Sequence, residues 1–133
     1  MVVICFMPKS LHRKVLIVDD NEHIRNLLSD FFSFNGYEAI AVSNGREALG
    51  VLKDKSFSLI ITDLNMPVMD GIELIIKIRN LNIPLPIIGM SFGDKESKFL
   101  KVGADYFLSK PFSFHHLESI VSSIFSKVDI LTY

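Results

Sequence analysis

Leu59-Ile60-Ile61-Thr62-Asp63-Leu64-Asn65-Met66-Pro67-Val68-Met69-Asp70-Gly71 is the stretch whose reading decides the fold. The apolar residues Leu59 to Ile61 read as a strand buried on both faces, the kind a parallel sheet uses. The run ends on an acid, Asp63, and breaks into a loop carrying a proline and a glycine. In an open α/β sheet, ligands sit at the C-terminal edge of the strands. Asp63 therefore stands where chemistry is done. An aspartate after a strand also serves to cap the next helix, and the rest of the chain decides between the two roles.

Upstream, Lys14-Val15-Leu16-Ile17-Val18 is a second apolar run that ends on acids, Asp19 and Asp20. Ile24, Leu27, Leu28, Phe31 and Phe32 then follow at helical spacing, and Asn35-Gly36 stops that helix with a left-handed cap. Tyr37 to Val42 is a short strand, and Ser43 or Asn44 caps a helix from Arg46 to Lys53 with Ala48, Leu49 and Leu52 inward. After Gly71 comes a helix carrying Ile72, Ile75, Ile76 and Ile78. Pro84-Leu85-Pro86 opens a fourth strand, Ile87 to Met90, which runs into Ser91. A short helix from Glu96 to Val102 ends at Gly103, and a fifth strand, Tyr106 to Leu108, ends at Ser109-Lys110-Pro111. The last helix starts near Ser113, with an apolar stripe of Phe114, Leu117, Ile120, Val121, Ile124 and Phe125.

Strands alternating with helices in this way predict a parallel sheet with right-handed crossovers and helices on both faces. The expected class is α/β, a flavodoxin-like three-layer (βα)5 fold with a five-stranded parallel sheet in the order 2-1-3-4-5. Strands 1 and 3 then flank the point where the strand order reverses. Asp19, Asp20 and Asp63 meet at one crevice there, with Ser91 and Lys110 on the neighbouring strand ends.

The 133 residues suit one domain, long enough to bury roughly two-thirds of the surface its unfolded chain exposes. Apolar residues at 49% and charged residues at 22% are ordinary for a compact fold. A net charge of −1 leaves no basic footprint for nucleic acid or for an anionic membrane. The single cysteine, Cys5, has no internal disulfide partner, and no Cys/His spacing suits a metal. That usage fits a reducing, cytoplasmic setting. Residues 1–13 read as an N-terminal extension and 14–133 as the domain. The extension is apolar through Val2, Val3, Ile4, Cys5 and Phe6, too short to span a bilayer, and its basic run follows the apolar part instead of preceding it. It is expected to dock on the domain or on a partner, unless translation starts at Met7.

Three carboxylates at one crevice repel one another unless a cation sits among them. Oxygen ligands without His or Cys point to Mg²⁺ held with several waters. Lys110 supplies a compact positive charge for a phosphate, worth roughly 4 kcal/mol per unit charge at about 4 Å in an effective dielectric near 20. Ser91 offers a hydroxyl to a phosphoryl oxygen. An acid, a metal, a cation and a hydroxyl at strand ends make a phosphoryl-transfer site with Asp63 as nucleophile. Singly, Asp19 and Asp20 would be helix caps, Lys110 a solvated lysine and Ser91 a turn residue. Their shared position at the ends of strands 1, 3, 4 and 5 carries the argument.

These residues resemble the receiver domain of two-component response regulators. The resemblance rests on Val18-Asp19-Asp20-Asn21, Asp63-Leu64-Asn65-Met66-Pro67 with Met69-Asp70-Gly71, Ser91, Gly103-Ala104-Asp105 and Lys110-Pro111-Phe112, and runs from Lys14 to Lys127. It implies that Asp63 takes a phosphoryl group from a histidine kinase's phosphohistidine. Asp20, Asp63 and the backbone carbonyl of Asn65 would hold Mg²⁺, with Asp19 acting through water. Lys110 would bind the phosphoryl group, the Lys110–Pro111 bond would be cis, and Ser91 and Phe107 would be the pair that shifts on phosphorylation.

Two departures stand out. Phe92 occupies a position that is alanine or glycine in the family pattern, and the segment from Ser91 to Lys110 is a few residues short, which clips the fourth helix. Phe92 is expected either to crowd the water's path to the acyl phosphate or to swing outward as an anchor for a partner.

The resulting expectation is a stand-alone phospho-accepting receiver, monomeric or weakly dimeric, that signals to an output protein by contact. Nucleic acid and membrane insertion play no part, and it is no enzyme beyond its own phosphorylation and dephosphorylation. A phosphorelay intermediate that exchanges phosphate with a phosphotransfer protein, and a receiver excised from a larger regulator or hybrid kinase, are the alternatives. An aspartyl-phosphate hydrolase would place a second acid two residues after its nucleophile, where Asn65 stands. A flavin-binding protein of this fold would need a Ser/Thr/Gly-rich loop after strand 1, where two acids stand.

Overall fold

A computed structural model describes residues 13–54 and 56–131, with side chains excepted for 54 and 127–131. The expectations for Cys5 and the rest of residues 1–12 lie outside this range. The strands are β1 (Lys14–Val18), β2 (Glu38–Val42), β3 (Leu59–Asp63), β4 (Ile87–Phe92) and β5 (Tyr106–Lys110). They alternate with α1 (Glu22–Phe34), α2 (Gly45–Asp54), α3 (Gly71–Asn80), α4 (Glu96–Lys101) and α5 (Phe114–Leu131). The sheet is parallel throughout and ordered β2-β1-β3-β4-β5, as the sequence predicts.

The apolar runs serve two cores at once because side chains alternate along a strand. Val15, Ile17, Leu59 and Ile61 face α1 and α5, where they pack with Leu28, Phe32, Leu117 and Val121. Leu16, Val18 and Ile60 face the other way, onto Ala48, Leu74, Ile75, Ile78 and Phe99 of α2, α3 and α4. Sandwiched between helical layers, β1 and β3 have no solvent face, which is why neither shows polar alternation. Phe32 anchors the first core, fully buried between Phe31 and Tyr37 with ring centroids at 5.1 and 5.6 Å. Truncating a ring so placed costs about 3–5 kcal/mol.

Helix phase corrects parts of the expected core. α3 buries Gly71, Leu74, Ile75 and Ile78, a stripe at i, i+3, i+4 and i+7, which rotates Ile76 to 41% exposure. α1 turns Leu28 and Phe32 inward and leaves Leu27 exposed. Phe114 is the first residue of α5, so it lies at the rim instead of in the stripe and stacks on Phe31 at 5.3 Å. β4 and β5 each run two residues beyond the expected ends, which puts Ser91 and Lys110 inside the ladder. Arg13 already belongs to the domain, since its carbonyl accepts the Glu38 N–H at 2.9 Å and its guanidinium lies 4.3 Å from the Phe125 ring centroid.

Four of the five helix starts are capped locally by side chains, α4 being the exception. Asn21 accepts from the His23 and Ile24 N–H groups, Asp70 from Glu73, and Ser113 from His116. Asn44 accepts from the Glu47 N–H while the Glu47 carboxylate reaches back to Ser43, a reciprocal box. Its hydrogen bond from the Ser43 N–H holds the Glu47 pKa below the usual value. α1 stops at Asn35, and Gly36 takes the left-handed conformation at φ +89°.

Candidate functional site

Asp19 follows the last residue of β1, Asp63 ends β3, and Lys110 ends β5. The strand order therefore carries them to one edge of the sheet. One carboxylate oxygen from each of Asp19, Asp20 and Asp63 falls within 4.8 Å of the others. Asp19 and Asp63 are buried, while Asp20 is exposed. The Lys110 Nζ reaches across from β5 and donates to Asp19 Oδ2 at 2.8 Å and to Asp63 Oδ1 at 3.0 Å.

None of these acids is spent on a helix. The caps at this edge are Asn21 and Asp70, so the reading of Asp63 as a cap for α3 does not hold. Asp19 Oδ1 instead accepts the Asn21 N–H at 2.9 Å, which sets the turn into α1.

Electrostatically the cluster is short of positive charge. Burial is the main reason that the Asp63 pKa is raised, the hydrogen bond from Lys110 works against it, and the neighbouring Asp19 charge adds to it. Burial alone would lower Lys110, but its two charge-assisted bonds to Asp19 and Asp63 outweigh that and hold its pKa above the ordinary lysine value.

Residues 15–122 match the family described as Response regulator receiver domain. The chain belongs to the response regulator receiver domain family. The receiver is 33% identical over 123 residues to the alkaline phosphatase synthesis transcriptional regulatory protein PhoP of Bacillus subtilis (strain 168), covering 90% of this chain and 51% of PhoP. It thus spans about half the length of that curated relative. The receiver domain of the Francisella response regulator 1452 matches with a TM-score of 0.83 at 32% identity, over 88% of this chain and 99% of that one. The co-crystal structure of Saccharomyces cerevisiae Ypd1, a histidine phosphotransfer signaling protein, with the receiver domain of its downstream response regulator Ssk1 matches with a TM-score of 0.79 at 27% identity, over 84% and 87%.

The donor set of this receiver suits a hard divalent cation: all-oxygen ligands, three carboxylates, and one ammonium already shared by two of them. Both oxygens of Asp19 already accept hydrogen bonds, from Asn21 and Lys110. Asp20 has the open side of the cluster, and Asn65 is exposed on the loop just past Asp63.

The remaining expected residues split into two groups. Ser91 is buried, and its hydroxyl donates to the Phe92 carbonyl at 3.0 Å. It pairs with Ser109 in the ladder, two positions beyond the Gly89–Phe107 pair, so alternation puts Ser91 and Phe107 on the same sheet face. Phe107 is half-buried there against Phe99, centroids 5.8 Å apart, and Phe99 lies so close over Gly89 that any side chain at Gly89 would collide with it. The Lys110–Pro111 bond is cis, as the resemblance implies. Phe92 is 65% exposed, its ring centroid 5.8 Å from Lys110 Nζ, so it flanks the site without covering it.

Three supporting residues escaped the sequence reading. Thr62, fully buried, donates its hydroxyl to the Asp63 carbonyl at 3.0 Å. Gly71 packs its Cα against that same carbonyl, where any side chain would collide, and donates its N–H to Leu64 at 2.9 Å. Arg25, one turn into α1, donates to the Asp19 carbonyl at 2.9 Å. A threonine inside an apolar run was the one visible signal, because a buried hydroxyl needs a partner.

The site is a surface crevice. A separate cleft lies between α1 and α5, lined by Phe31, Tyr37 and His115. No helix among those residues is long and apolar enough to cross a membrane.

Proposed function

We propose that this receiver accepts a phosphoryl group on Asp63 from a phosphohistidine and relays the change to another protein by contact. The observation that supports this most is the Lys110 ammonium bridging Asp19 and Asp63 beside the exposed Asp20. An Asp63 oxygen attacks phosphorus, the P–N bond to the donor imidazole breaks, and the transferred oxygens come to lie beside Lys110. Lys110 then balances charge that the acids alone would repel. Asp20, Asp63 and the Asn65 backbone carbonyl would hold Mg²⁺, with Asp19 acting through water. When bound, the ion neutralises charge on the transferred oxygens. The Ser91 hydroxyl would turn from the Phe92 carbonyl to a phosphoryl oxygen, coupling Asp63 to Phe107.

The donor in this reading is a histidine kinase or a histidine phosphotransfer protein, and the co-crystal of the phosphotransfer protein Ypd1 with the receiver domain of Ssk1 supports a partner of the second kind. Besides its own phosphorylation and dephosphorylation the domain turns over no substrate. It works in the cytoplasm, as a free-standing receiver, a phosphorelay intermediate or part of a longer regulator. Incubation with acetyl phosphate and Mg²⁺ tests the acceptor: mass spectrometry should find one acid-labile phosphate on the parent and none on Asp63→Asn. Equal modification of both proteins would remove Asp63 from the role.

A further inference from the structure

We propose that Phe92 is a specificity-determining residue, whose ring stacks on the imidazole of the phosphodonor and so favours phosphohistidine over donors with a non-aromatic leaving group. This rests on the phosphoryl-accepting role of Asp63 given above. Phe92 is the last residue of β4 and pairs with Lys110, the last residue of β5. Its ring centroid stands 5.8 Å from the Lys110 Nζ, which in turn lies 3.0 Å from Asp63 Oδ1. Attraction between ammonium and ring face holds the phenyl at the mouth of the site. Before transfer the backbone there is held as well, because the Ser91 hydroxyl donates to the Phe92 carbonyl.

An exposed aromatic residue is unremarkable alone. This one is informative because it stands beside Lys110 at the site with most of its surface free. At 65% exposure the ring keeps most of its surface open, and among the described residues no other aromatic ring packs on it. In-line attack by Asp63 on phosphorus places the leaving nitrogen on the side of the phosphoryl group away from Asp63, toward solvent, where an exposed ring beside Lys110 can meet it.

For a protonated phosphoimidazole, the O–P bond forms as the N–P bond breaks. The electron pair returns to the ring, and neutral imidazole leaves with the proton it already carried. A planar aromatic leaving group gains from stacking on Phe92, and acetate from acetyl phosphate has no aromatic face to offer. Aromatic pairs of this kind change a rate by about two- to tenfold when the contact is made in the transition state.

The test measures phosphorylation rate constants with monophosphoimidazole and with acetyl phosphate at saturating Mg²⁺, for the parent, Phe92→Ala, Phe92→Leu and Phe92→Tyr. The ratio of the two constants should fall about two- to tenfold in the Ala and Leu variants and return to the parent value in the Tyr variant. A partly unfolded sample scales both constants alike, so the ratio still describes the folded molecules. An Ala variant with the parent ratio overturns the inference. So does a Leu variant that keeps the ratio, since bulk without an aromatic face would then suffice. If the parent takes phosphate from neither donor, the acceptor role fails and this inference falls with it. Phosphorylation by both donors with an unchanged ratio removes the inference alone.

Discussion

Replacing Asp63 by Asn should stabilise the metal-free protein even as it abolishes phosphorylation. With an effective dielectric near 20, the repulsion between Asp63 and Asp19 is about 3.5 kcal/mol at the 4.8 Å limit of their separation. Exposed Asp20 adds a smaller, solvent-screened repulsion. Against these stands an attraction of about 5.5 kcal/mol to the Lys110 Nζ at 3.0 Å. The attraction exceeds the Asp19 repulsion by about 2 kcal/mol at most, less than the several kcal/mol it costs to desolvate a carboxylate that is only 7% exposed. That balance agrees with the raised Asp63 pKa, whose largest cause is burial.

Asparagine keeps an oxygen to accept from Lys110 and removes the charge, for a net gain of about 1–2 kcal/mol. In a domain of this size that is about 3–8 °C in Tm. The pH dependence fixes the sign independently. A carboxyl with a raised folded pKa stabilises the fold fully below its unfolded pKa, and that stability is lost as pH rises through the folded value. The advantage of the Asn variant should therefore be largest at neutral pH and shrink on acidification. Calorimetric melts of both proteins in chelator, at neutral and at mildly acid pH, measure this. An Asn variant clearly less stable at neutral pH, or an advantage that does not change with pH, would refute the reasoning.

Mg²⁺ at about a hundredfold over its dissociation constant should raise the parent's stability by about 2.7 kcal/mol, and chelator should reverse it. Asp20→Asn should lose most of that increment in the same melts, and a full response in the variant would take Asp20 out of the ligand set. Ser91→Ala should still be phosphorylated on Asp63, but the phosphorylation-induced NMR shifts around Phe107 should collapse; identical shifts in both proteins would end the proposed coupling. Val68 holds φ at +72°, a conformation a β-branched residue adopts only under strain. Val68→Gly relieves that strain at some entropic cost, so a gain of about 0.5–1 kcal/mol is expected in chemical denaturation, and a loss would show that Val68 contributes contacts that outweigh the strain.

The strand order was legible because Val15–Val18 and Leu59–Ile61 are apolar without alternation, which only strands covered on both faces can be. The acids at their ends were legible for the same reason, since the strand direction decides which edge they share. Helix phase was harder to read. Where nearly every turn offers an Ile or Leu, as in Ile72 to Ile78, sequence cannot say that Leu74 turns in and Ile76 out, because the docking angle of α3 on the sheet decides it. The ends of β4 and β5 were misjudged because pairing between Phe92 and Lys110 is a long-range contact with no local signature. Arg25 and Thr62 escaped notice because their partners are backbone carbonyls, which carry no sequence signal.

The division of labour at the sheet edge bears on how a charge placed on Asp63 would be felt. α1 and α3 start beside the site, but each has its own cap, Asn21 and Asp70, so neither helix start depends on the Asp63 carboxylate. The Asp63 carbonyl is pinned from behind by Thr62 and Gly71. What remains adjustable lies toward β4 and β5: the Lys110 ammonium shared between two acids, and the Ser91 hydroxyl on a neighbouring carbonyl. Behind Ser91, on the same sheet face, Phe107 meets Phe99 of α4, a helix of six residues without a side-chain cap. A short helix without a side-chain cap, anchored by the one buried side chain Phe99, is the element of this face least able to resist a change in its neighbour. On the proposed function, the phosphoryl signal would therefore leave the site through β4, β5 and α4, while the capped helices α1 and α3 keep the acids in register.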